Sequence, residues 1–536
     1  MALLANLFRI LTTAVFSSLP GRVATLLGAI FLLSACGSLP AVKLMADTRA
    51  LPVDSSAPLA KIVAASTPQG EHSGFRLMPL GVYSLDARLA LAKRATRSLD
   101  VQYYVIENDG AGRLLLRALK QAAQRGVQVR LLVDDLYTAQ TEQLLLALGA
   151  TPNIEIRLFN PFCCARSSLA ARFAASALDI SRLNHRMHNK LFVADGSLAV
   201  VGGRNIADEY FTLNMSQNFV DMDALVAGKV VADLSAIFDR YWNSHEVYPL
   251  GAIVTPQADT TSMTVEFDAQ VDMAGVGPTV TLPPVDVLGY GPIGEELDAG
   301  IIGFLWGQAQ AVADPPEKLR SMTPDQAYDT SVTKRFWAEV VTAQRDVFIT
   351  SPYLVPGERG LAHLQSVVNR GVAVTLLTNS LAANDEPLVH SGYARYRKPL
   401  LQAGTDLYEL SPARTRRGLR LGMFGSSLGR LHSKTAVIDR RRIFIGSVNL
   451  DPRSATHNTE MGLFIDSPQL AREMLRVINI SRLESAYRLR LSPGGRLQWL
   501  AIDGDQEVVL DSEPEASWAT RLKVWLLGPL VPESLL

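Results

Sequence analysis

The sequence has no surplus of charge of either sign. Its 52 Lys and Arg residues balance 52 Asp and Glu residues over 536 positions. Binding to nucleic-acid phosphates depends on basic residues, so this balance argues against a nucleic-acid partner, although a local basic patch is compatible with it. The hydrophobic fraction of 48% and the charged fraction of 19% indicate an ordered globular chain, long enough for two domains.

Cysteine is scarce, and this excludes a disulfide framework. The chain has three cysteines, of which Cys163 and Cys164 are adjacent. A bond between neighbouring cysteines is strained, so we expect both to be ordinary packing residues. The sequence also has neither a pair of cysteines nor a His/Asp/Glu cluster with metal-ligand spacing. We therefore expect an activity that requires no metal and no other cofactor.

Near the N-terminus, the apolar run Val23–Leu33 is shorter than the ~20 residues that span a bilayer. It ends in Leu33-Ser34-Ala35-Cys36, which resembles the lipobox of bacterial lipoproteins. The resemblance implies that residues 1–36 act as a signal and that Cys36 carries the lipid, on the periplasmic face of the cell envelope. Gly37-Ser38 is similar to the pattern of outer-membrane sorting in Gram-negative bacteria. An uncleaved membrane anchor is the alternative, because Met1–Leu19 is also apolar.

One polar motif occurs twice with identical spacing. Each copy has His-x-Lys, an apolar run, Asp, a second apolar run, a Gly-Gly or Gly-Ser pair, and Asn. Every residue of the second copy lies 244 positions after its counterpart in the first. The copies are His188, Lys190, Asp195, Gly202-Gly203 and Asn205, and His432, Lys434, Asp439, Gly446-Ser447 and Asn449.

The repeat extends beyond the motif to whole domains. A strand, a helix, an Arg-Gly pair and another strand precede each copy, and this order predicts a mostly parallel sheet. The predicted elements are Leu99–Ile106, Gly112–Gln124 and Val127–Val133, then Asp346–Thr350, Gly360–Asn369 and Val372–Thr378. We predict a signal (1–36), a tether (37–75), two related domains (76–250 and 331–500), a connection (251–330) and a C-terminal extension (501–536).

Two His/Lys pairs suit chemistry at a phosphodiester. A neutral imidazole can attack phosphorus, which divides one difficult step into two easier ones. A second, protonated imidazole can supply a proton to the leaving oxygen. Lys190 and Lys434 would stabilise the non-bridging oxygens, and Asn205 and Asn449 would donate to the same oxygens. The residues alone leave open which histidine is the nucleophile.

A catalytic imidazole also needs a carboxylate on its other nitrogen. Asp221 lies 33 residues after His188, and Glu460 lies 28 residues after His432, each just before a methionine. We predict that these two carboxylates orient the histidines. Asp195 and Asp439 are also candidates, but they fall at the far ends of the predicted strands, where a structural role is favoured over proton transfer.

Two copies of His-x-Lys, Asp and Gly-Gly/Ser-x-Asn resemble the phospholipase D superfamily, over residues 84 to 530. The resemblance implies an α/β fold of two pseudo-twofold related αβ domains, each a mixed, mostly parallel sheet flanked by helices. It also implies one active site between the domains, with His188 as nucleophile and His432 as acid. An exported nuclease is the alternative within the same chemistry.

Two further stretches, Asn184-His185-Arg186-Met187 and Val389–Arg397, resemble bacterial cardiolipin synthases without paired N-terminal membrane helices. This resemblance implies phosphatidyl transfer or hydrolysis, a phospholipid substrate at a membrane surface, and no nucleic acid. It makes His390, Tyr393 and Arg397 candidates for the head-group pocket, with an inward-packing helix face as the alternative. The basic and apolar segments 167–182, 414–430 and 518–527 are candidates for membrane contact. The oligomeric state is open.

Overall fold

The computed structural model of the chain describes residues 39–40, 46–70, 72–273, 282–320, 322–417, 427–503 and 506–535. Cys36 and the predicted signal therefore lie outside the described residues, as does the middle of segment 414–430. Within the described ranges, no helix combines the length and the apolar character needed to cross a membrane.

The first half of the chain builds an eight-stranded sheet in the order β9-β4-β3-β2-β5-β6-β8-β1. One further strand of this half, β7, lies outside it. The strands are β1 (Ser73–Met78), β2 (Ser98–Tyr103), β3 (Gln128–Asp134), β4 (Ile154–Phe159), β5 (Leu191–Ala194), β6 (Leu198–Gly202), β7 (Gln217–Val220), β8 (Asp223–Gly228) and β9 (Val247–Pro249).

The second half repeats this sheet in the order β10-β17-β16-β15-β11-β12-β13-β18-β19-β20. The strands are β10 (Leu305–Ala313), β11 (Asp346–Thr350), β12 (Ala373–Asn379), β13 (Asp406–Leu410), β14 (Leu428–Leu431), β15 (Thr435–Ile438), β16 (Arg442–Gly446), β17 (Met461–Asp466), β18 (Ala486–Leu491), β19 (Leu497–Asp503) and β20 (Gln506–Leu510). Antiparallel pairing of β1 with β10 joins the two halves, and β7 pairs with β14 in a separate parallel ribbon.

Both sheets are mixed, but the prediction that they are mostly parallel was too strong. Parallel pairing is confined to three strands in each half, β2-β3-β4 and β11-β12-β13. Each motif forms a tight hairpin instead, β5-β6 and β15-β16, and a hairpin pairs its strands antiparallel.

The helices cover the faces of the sheets, and those after β2 and β11 show how the repeat is encoded. Both end at an Arg-Gly pair whose glycine has a positive φ, 95° at Gly126 and 85° at Gly371, a conformation that glycine adopts without steric cost. The helices are α1 (Pro58–Ser66), α2 (Gly81–Arg94), α3 (Gly110–Gln124), α4 (Glu142–Gly149), α5 (Leu169–Ala175), α6 (Ile180–Leu183), α7 (Val230–Trp242), α8 (Leu250–Ile253), α9 (Thr260–Met273), α10 (Ile293–Ala299), α11 (Pro324–Asp329), α12 (Val332–Val340), α13 (Gly357–Asn369), α14 (Pro387–Gln402), α15 (Pro412–Arg417), α16 (Pro452–Thr456), α17 (Pro468–Ser485) and α18 (Trp518–Leu527).

Two segments predicted to be connecting chain belong to the folded body. In the predicted tether, Leu59 of α1 is fully buried, and the backbone N–H of Ala50 donates to Asp239. In the predicted connection, β10 is the strand that joins the sheets. Pro, Gly and Thr residues interrupt the periodic pattern of these segments. The sequence therefore did not show that both segments pack against other elements.

A shared apolar core holds the halves together. It combines residues of β5, β6 and β8, such as Val193 and Val201, with residues of β15, β16 and β17, such as Val437 and Ile445. Separate cores lie within each half. Because the strands that follow both His-x-Lys motifs contribute to the shared core, the two motifs are fixed against one another.

Candidate active site

Backbone hydrogen bonds place each histidine beside a strand of the other half. The N–H of His188 donates to the carbonyl of Thr459 at 2.9 Å, and the N–H of His432 donates to the carbonyl of Val220 at 2.8 Å. The β7–β14 ribbon continues the second contact, since its last pair is Val220 with Leu431. The residues next in the chain after Thr459 and Val220 are the two predicted carboxylates.

As a result, the carboxylates are exchanged between the halves. Nδ1 of His188 lies 2.9 Å from Oε2 of Glu460, and Nδ1 of His432 lies 2.6 Å from Oδ2 of Asp221. The structure thus brings both predicted carboxylates to the imidazoles, each to the histidine of the other repeat. Both carboxylates are fully buried.

The two carboxylates are held differently. The hydroxyls of Ser447 and Ser454 donate to the oxygens of Glu460. Asp221 accepts instead from the backbone N–H of Met222 at 2.7 Å. Gly203 occupies the position equivalent to Ser447, and a Cβ there would lie 2.3 Å from Oδ1 of Asp221. The Gly/Ser difference between the copies therefore matches the different carboxylate beside each.

The two lysines lie in the same buried site. Nζ of Lys190 donates to the carbonyl of His188 at 2.7 Å, and Nζ of Lys434 donates to the carbonyl of His432. The charge of each lysine also lowers the pKa of the histidine in the other half. The two ammonium groups and the two imidazoles therefore share one electrostatic environment.

Burial makes both imidazoles neutral at physiological pH. It lowers the pKa of His188 to about 4, against the opposing charge of Glu460. It lowers the pKa of His432 to about 3, with a further contribution from Lys434. A neutral imidazole beside an ionised carboxylate carries its proton on Nδ1. Within the described residues, Nε2 of neither ring has a hydrogen-bond partner, so both lone pairs are available to a substrate.

The surrounding positive charges hold the carboxylates ionised, whereas burial lowers the pKa of both lysines. Burial raises the pKa of Asp221, but His432 and Lys434 outweigh it and hold the pKa at about 2. The pKa of Glu460 is also lowered, by His188 and Lys190 against burial. Burial lowers the pKa of Lys434 to about 8 and that of Lys190 well below its ordinary value. Keeping these four buried groups charged carries a high cost of desolvation.

The two predicted asparagines are buried beside the same groups. Nδ2 of Asn205 donates to the hydroxyl of Tyr210 at 3.0 Å, and the backbone N–H of Asn449 donates to Ser454. Oδ1 of both asparagines lacks a hydrogen-bond partner. The amide of Asn205 is thus already engaged with Tyr210, so its prediction as a donor to phosphate stays a prediction, as does that of Asn449.

Asp195 and Asp439 occupy the opposite ends of β5 and β15 from the histidines. Asp195 accepts from the backbone N–H groups of residues 96–98. Asp439 accepts from those of residues 344–346. Both adopt a left-handed conformation, with φ of 51° and 55°. This geometry supports the structural role expected from their position, because they tie the motif hairpin to the start of β2 or β11, and their place among the catalytic candidates stays a prediction.

Sequence reasoning missed the aromatic rings around the imidazoles. Tyr104 contacts His188 edge-on, with ring centroids 5.1 Å apart. Tyr210 contacts His432 in the same way at 5.0 Å. Tyr104 follows β2 and Tyr210 lies after β6, both in the first half, so comparison of the copies gave no signal. Each ring thus packs against one of the two imidazoles.

The candidate head-group residues form a cluster inside the second half. Arg397 donates to Glu409 and Glu513, Tyr393 donates to Glu409, and His390 contacts Glu513. All three side chains are buried. The inward-packing alternative accounts for them, since their polar groups bind carboxylates of their own domain rather than facing a substrate.

In two of the segments predicted to contact lipid, an arginine is paired inside the protein. Segment 167–182 forms two short helices, α5 and α6, and Arg172 is fully buried against Glu142. Arg414 pairs with Asp503. Neither arginine is a surface cation. No group of three or more His, Cys, Asp or Glu residues with a metal-binding arrangement occurs in the described parts of the chain.

The fold and this site define a protein of the phospholipase D superfamily. The family described as "Cardiolipin synthase, PLD-like domain" matches residues 89–242 and 338–480, and the chain belongs to it. It is therefore an enzyme of the phosphodiester-cleaving phospholipase D class, as the repeated motif predicted.

Individual proteins are similar to this chain over most of its length. The chain is 39% identical to cardiolipin synthase C of Escherichia coli over 464 residues, covering 84% of this chain and 94% of that one. It is 30% identical to an uncharacterized protein of Helicobacter pylori, covering 86% and 89%. Among solved structures, phosphatidylserine synthase of Haemophilus influenzae is similar in fold, with a TM-score of 0.54 and 15% identity over 86% of this chain and 95% of that one.

Proposed function

We propose that the enzyme transfers the phosphatidyl group of one phospholipid to a hydroxyl of a second, or to water, through a phosphohistidine. One observation carries the proposal: two neutral imidazoles, each fixed at Nδ1 by a carboxylate of the other half, present free Nε2 atoms beside two buried ammonium groups. The 39% sequence identity to cardiolipin synthase C over 84% of the chain supports a phospholipid substrate.

In the first step, Nε2 of His188 attacks phosphorus and forms a P–N bond. The bond from phosphorus to the first alcohol breaks, and the leaving oxygen takes a proton from Nε2 of His432. Glu460 stabilises the positive charge that develops on His188. Lys190 and Lys434 neutralise the non-bridging oxygens.

His432 must be protonated to act as the acid, but in the free enzyme its low pKa leaves it neutral. Binding of the phosphodiester favours uptake of this proton from solvent, because its negative charge offsets that of Lys434, which together with burial lowers the pKa of His432 in the free enzyme. Asp221, ionised and in contact with Nδ1, then stabilises the imidazolium. Substrate binding and protonation of His432 are therefore coupled.

In the second step, the hydroxyl of an acceptor attacks phosphorus as His432 takes its proton, and the P–N bond breaks. A lipid alcohol gives a diphosphatidyl product, whereas water gives phosphatidic acid. The exclusion of water by the closed site sets the ratio. The buried His pair and the rings of Tyr104 and Tyr210 favour transfer.

We also propose that Cys36 anchors the enzyme to the membrane as a lipoprotein, at the periplasmic face of the envelope. The support is Leu33-Ser34-Ala35-Cys36 after a short apolar run. Metabolic labelling with a palmitate analogue tests this step. Label in the wild type that is absent from Cys36→Ala is the expected result, and label retained in that variant contradicts it.

The test of activity uses the full-length enzyme in vesicles of phosphatidylglycerol and phosphatidylethanolamine, with products identified by mass spectrometry. His188→Ala and His432→Ala are the inactive variants. His390→Ala is the matched control, because it removes a buried histidine outside the site. Cardiolipin formed by wild type and the control but by neither site variant is expected.

Phosphatidic acid as the only product would assign hydrolysis rather than transfer. Cleavage of single-stranded DNA without any lipid product would contradict the proposal and support a nuclease.

A further inference from the structure

The C-terminal helix α18 presents an apolar face that nothing within the described residues covers. None of its side chains is buried. Trp518 is 77% exposed and Trp525 is 72% exposed. Four of the five exposed large apolar residues of α18 recur at the helical spacing of one face, i, i+4, i+7 and i+8. These four are Trp518, Leu522, Trp525 and Leu526, and the fifth is Leu527.

The helix is fixed to the second half at its ends. The carbonyl of Gly528, just after α18, accepts from Arg395 of α14, and the guanidinium of Arg521 donates to the carbonyl of Glu513. Ser517 caps its first turn by accepting from the N–H of Thr520. The exposed face is therefore held in a defined orientation.

Packing contacts place this helix on the active-site side of the second half. Asn379 ends β12 and exchanges two hydrogen bonds with Leu431, the residue before His432. Helix α14 begins shortly after Asn379. Gly528, just after α18, lies against Ser391 in the first turns of α14. Helix α18 is therefore joined to the segment that leads away from the active site.

A second exposed apolar segment also lies beside the active site. Leu178, before α6, is 91% exposed, and Ile180, the first residue of α6, is 52% exposed. This segment ends at Asn184, whose side chain and carbonyl both accept from Arg453. Arg453 belongs to α16, which begins three residues after Asn449 of the second motif, so this segment also lies beside the active site. We call the exposed set the rim patch: Leu178, Ile180, Trp518, Leu522, Trp525 and Leu526.

We infer that the rim patch docks the enzyme on an anionic lipid bilayer, with the aromatic face of α18 inserted at the head-group boundary. Tryptophan suits that boundary, because its ring is apolar and its N–H is polar. Helix α18 carries Arg521 and Lys523 and no acidic residue, which complements anionic lipid. The inference rests on the proposed function for its purpose: an enzyme docked on this side receives lipid substrates directly from the membrane.

Tryptophan quenching by brominated lipid tests the docking with full-length enzyme. The vesicles contain phosphatidylglycerol and phosphatidylcholine brominated on the acyl chains. The other four tryptophans are buried or half-buried, so the quenched fraction reports Trp518 and Trp525. We expect quenching in wild type and its loss in the double variant Trp518→Ser, Trp525→Ser. The matched control, Val265→Ser with Ile502→Ser, removes two exposed apolar residues elsewhere and keeps the quenching.

Activity provides the second readout. The turnover of the double Trp variant on vesicles should fall about tenfold or more, as expected when two aromatic side chains that the bilayer would bury are lost. The variant should keep its turnover of a short-chain phospholipid dissolved as monomers, which also shows that it is folded. Equal loss on both substrates, or a wild type without quenching, would overturn the inference. If wild type turned over neither lipid but was quenched, the proposed function would fail while the docking surface stood.

Discussion

Glu460 and His188 belong to different repeats, yet Oε2 of Glu460 lies 2.9 Å from Nδ1 of His188. The cause is backbone pairing, since His188 donates its N–H to Thr459, the residue before Glu460. The same arrangement joins His432, Val220 and Asp221. Neither half therefore contains a complete catalytic unit, and duplication alone does not give two sites.

Because each carboxylate contacts the histidine of the other half, its substitution should change the properties of that histidine. Glu460→Gln should change the tautomer and nitrogen shifts of His188, and Asp221→Asn those of His432, because an amide can donate to Nδ1 and favour the other tautomer. Each substitution should lower kcat by about 10²- to 10⁴-fold. Nitrogen NMR of labelled histidine, with kcat measured on the same samples, checks this. A response of His432 to Glu460→Gln would contradict the pairing.

The sequence predicted both carboxylates but could not predict their exchange. The distances of 33 and 28 residues relate each carboxylate to the histidine of its own copy. Pairing between β7 and β14 brings together residues about 210 apart, and no local spacing encodes such a contact. The helix before each Arg-Gly pair and the strands on either side of it were predictable, because they depend on local periodicity and turn residues.

The identity of the nucleophile can be decided with the leaving group. A phosphatidyl p-nitrophenyl ester needs little protonation of its leaving oxygen, so His432→Ala should still release a burst of p-nitrophenol and accumulate phosphohistidine. With a glycerol leaving group the same variant should be slower than wild type by ~10²–10⁴-fold. His188→Ala should give no burst with either substrate. A burst from His188→Ala and none from His432→Ala would reverse the two roles.

Substitution at the equivalent positions Gly203 and Ser447 should lower activity for different reasons in the two halves. Ser447→Ala removes one hydroxyl that donates to Glu460, and a hydrogen bond to a charged group is worth ~1.5–3 kcal/mol, so activity should fall about tenfold or more without loss of folding. Gly203→Ala places a Cβ 2.3 Å from Asp221 and should abolish activity by displacing it. Steady-state kinetics and melting temperatures distinguish these effects. Full activity of Gly203→Ala would show that Asp221 need not be held as described.

The two motif aspartates should affect stability rather than chemistry. Asp439→Ala leaves three backbone N–H groups without their acceptor, at ~1–3 kcal/mol for each group that stays buried and unpaired. Asp195→Ala should behave alike. We expect a lower melting temperature but an unchanged turnover per folded molecule at low temperature. Inactive variants with the wild-type melting temperature would instead restore these aspartates to the catalytic set.

Some features lacked a sequence signal for physical reasons. Tyr104 and Tyr210 occupy non-equivalent positions of the repeat, so symmetry could not point to them. His390, Tyr393 and Arg397 were attractive as pocket residues because of their chemistry, but their partners Glu409 and Glu513 lie far along the chain. Burial of a charged cluster depends on such distant partners, and one helix cannot reveal it.

The depressed pKa of Lys434 predicts a basic limit to activity. Burial holds this pKa at about 8, and the lysine binds the phosphodiester only when protonated. As pH rises through 8 the charge is lost, so kcat/KM should fall, while the phosphodiester itself does not titrate. Lys434→Arg stays charged throughout this range, so the part of the decline due to Lys434 should disappear, although the guanidinium geometry lowers the overall rate. A pH–rate profile at constant ionic strength measures both. A decline that is the same in Lys434→Arg would assign the titration to another group, and a flat wild-type profile to pH 10 would exclude a titrating lysine from the site.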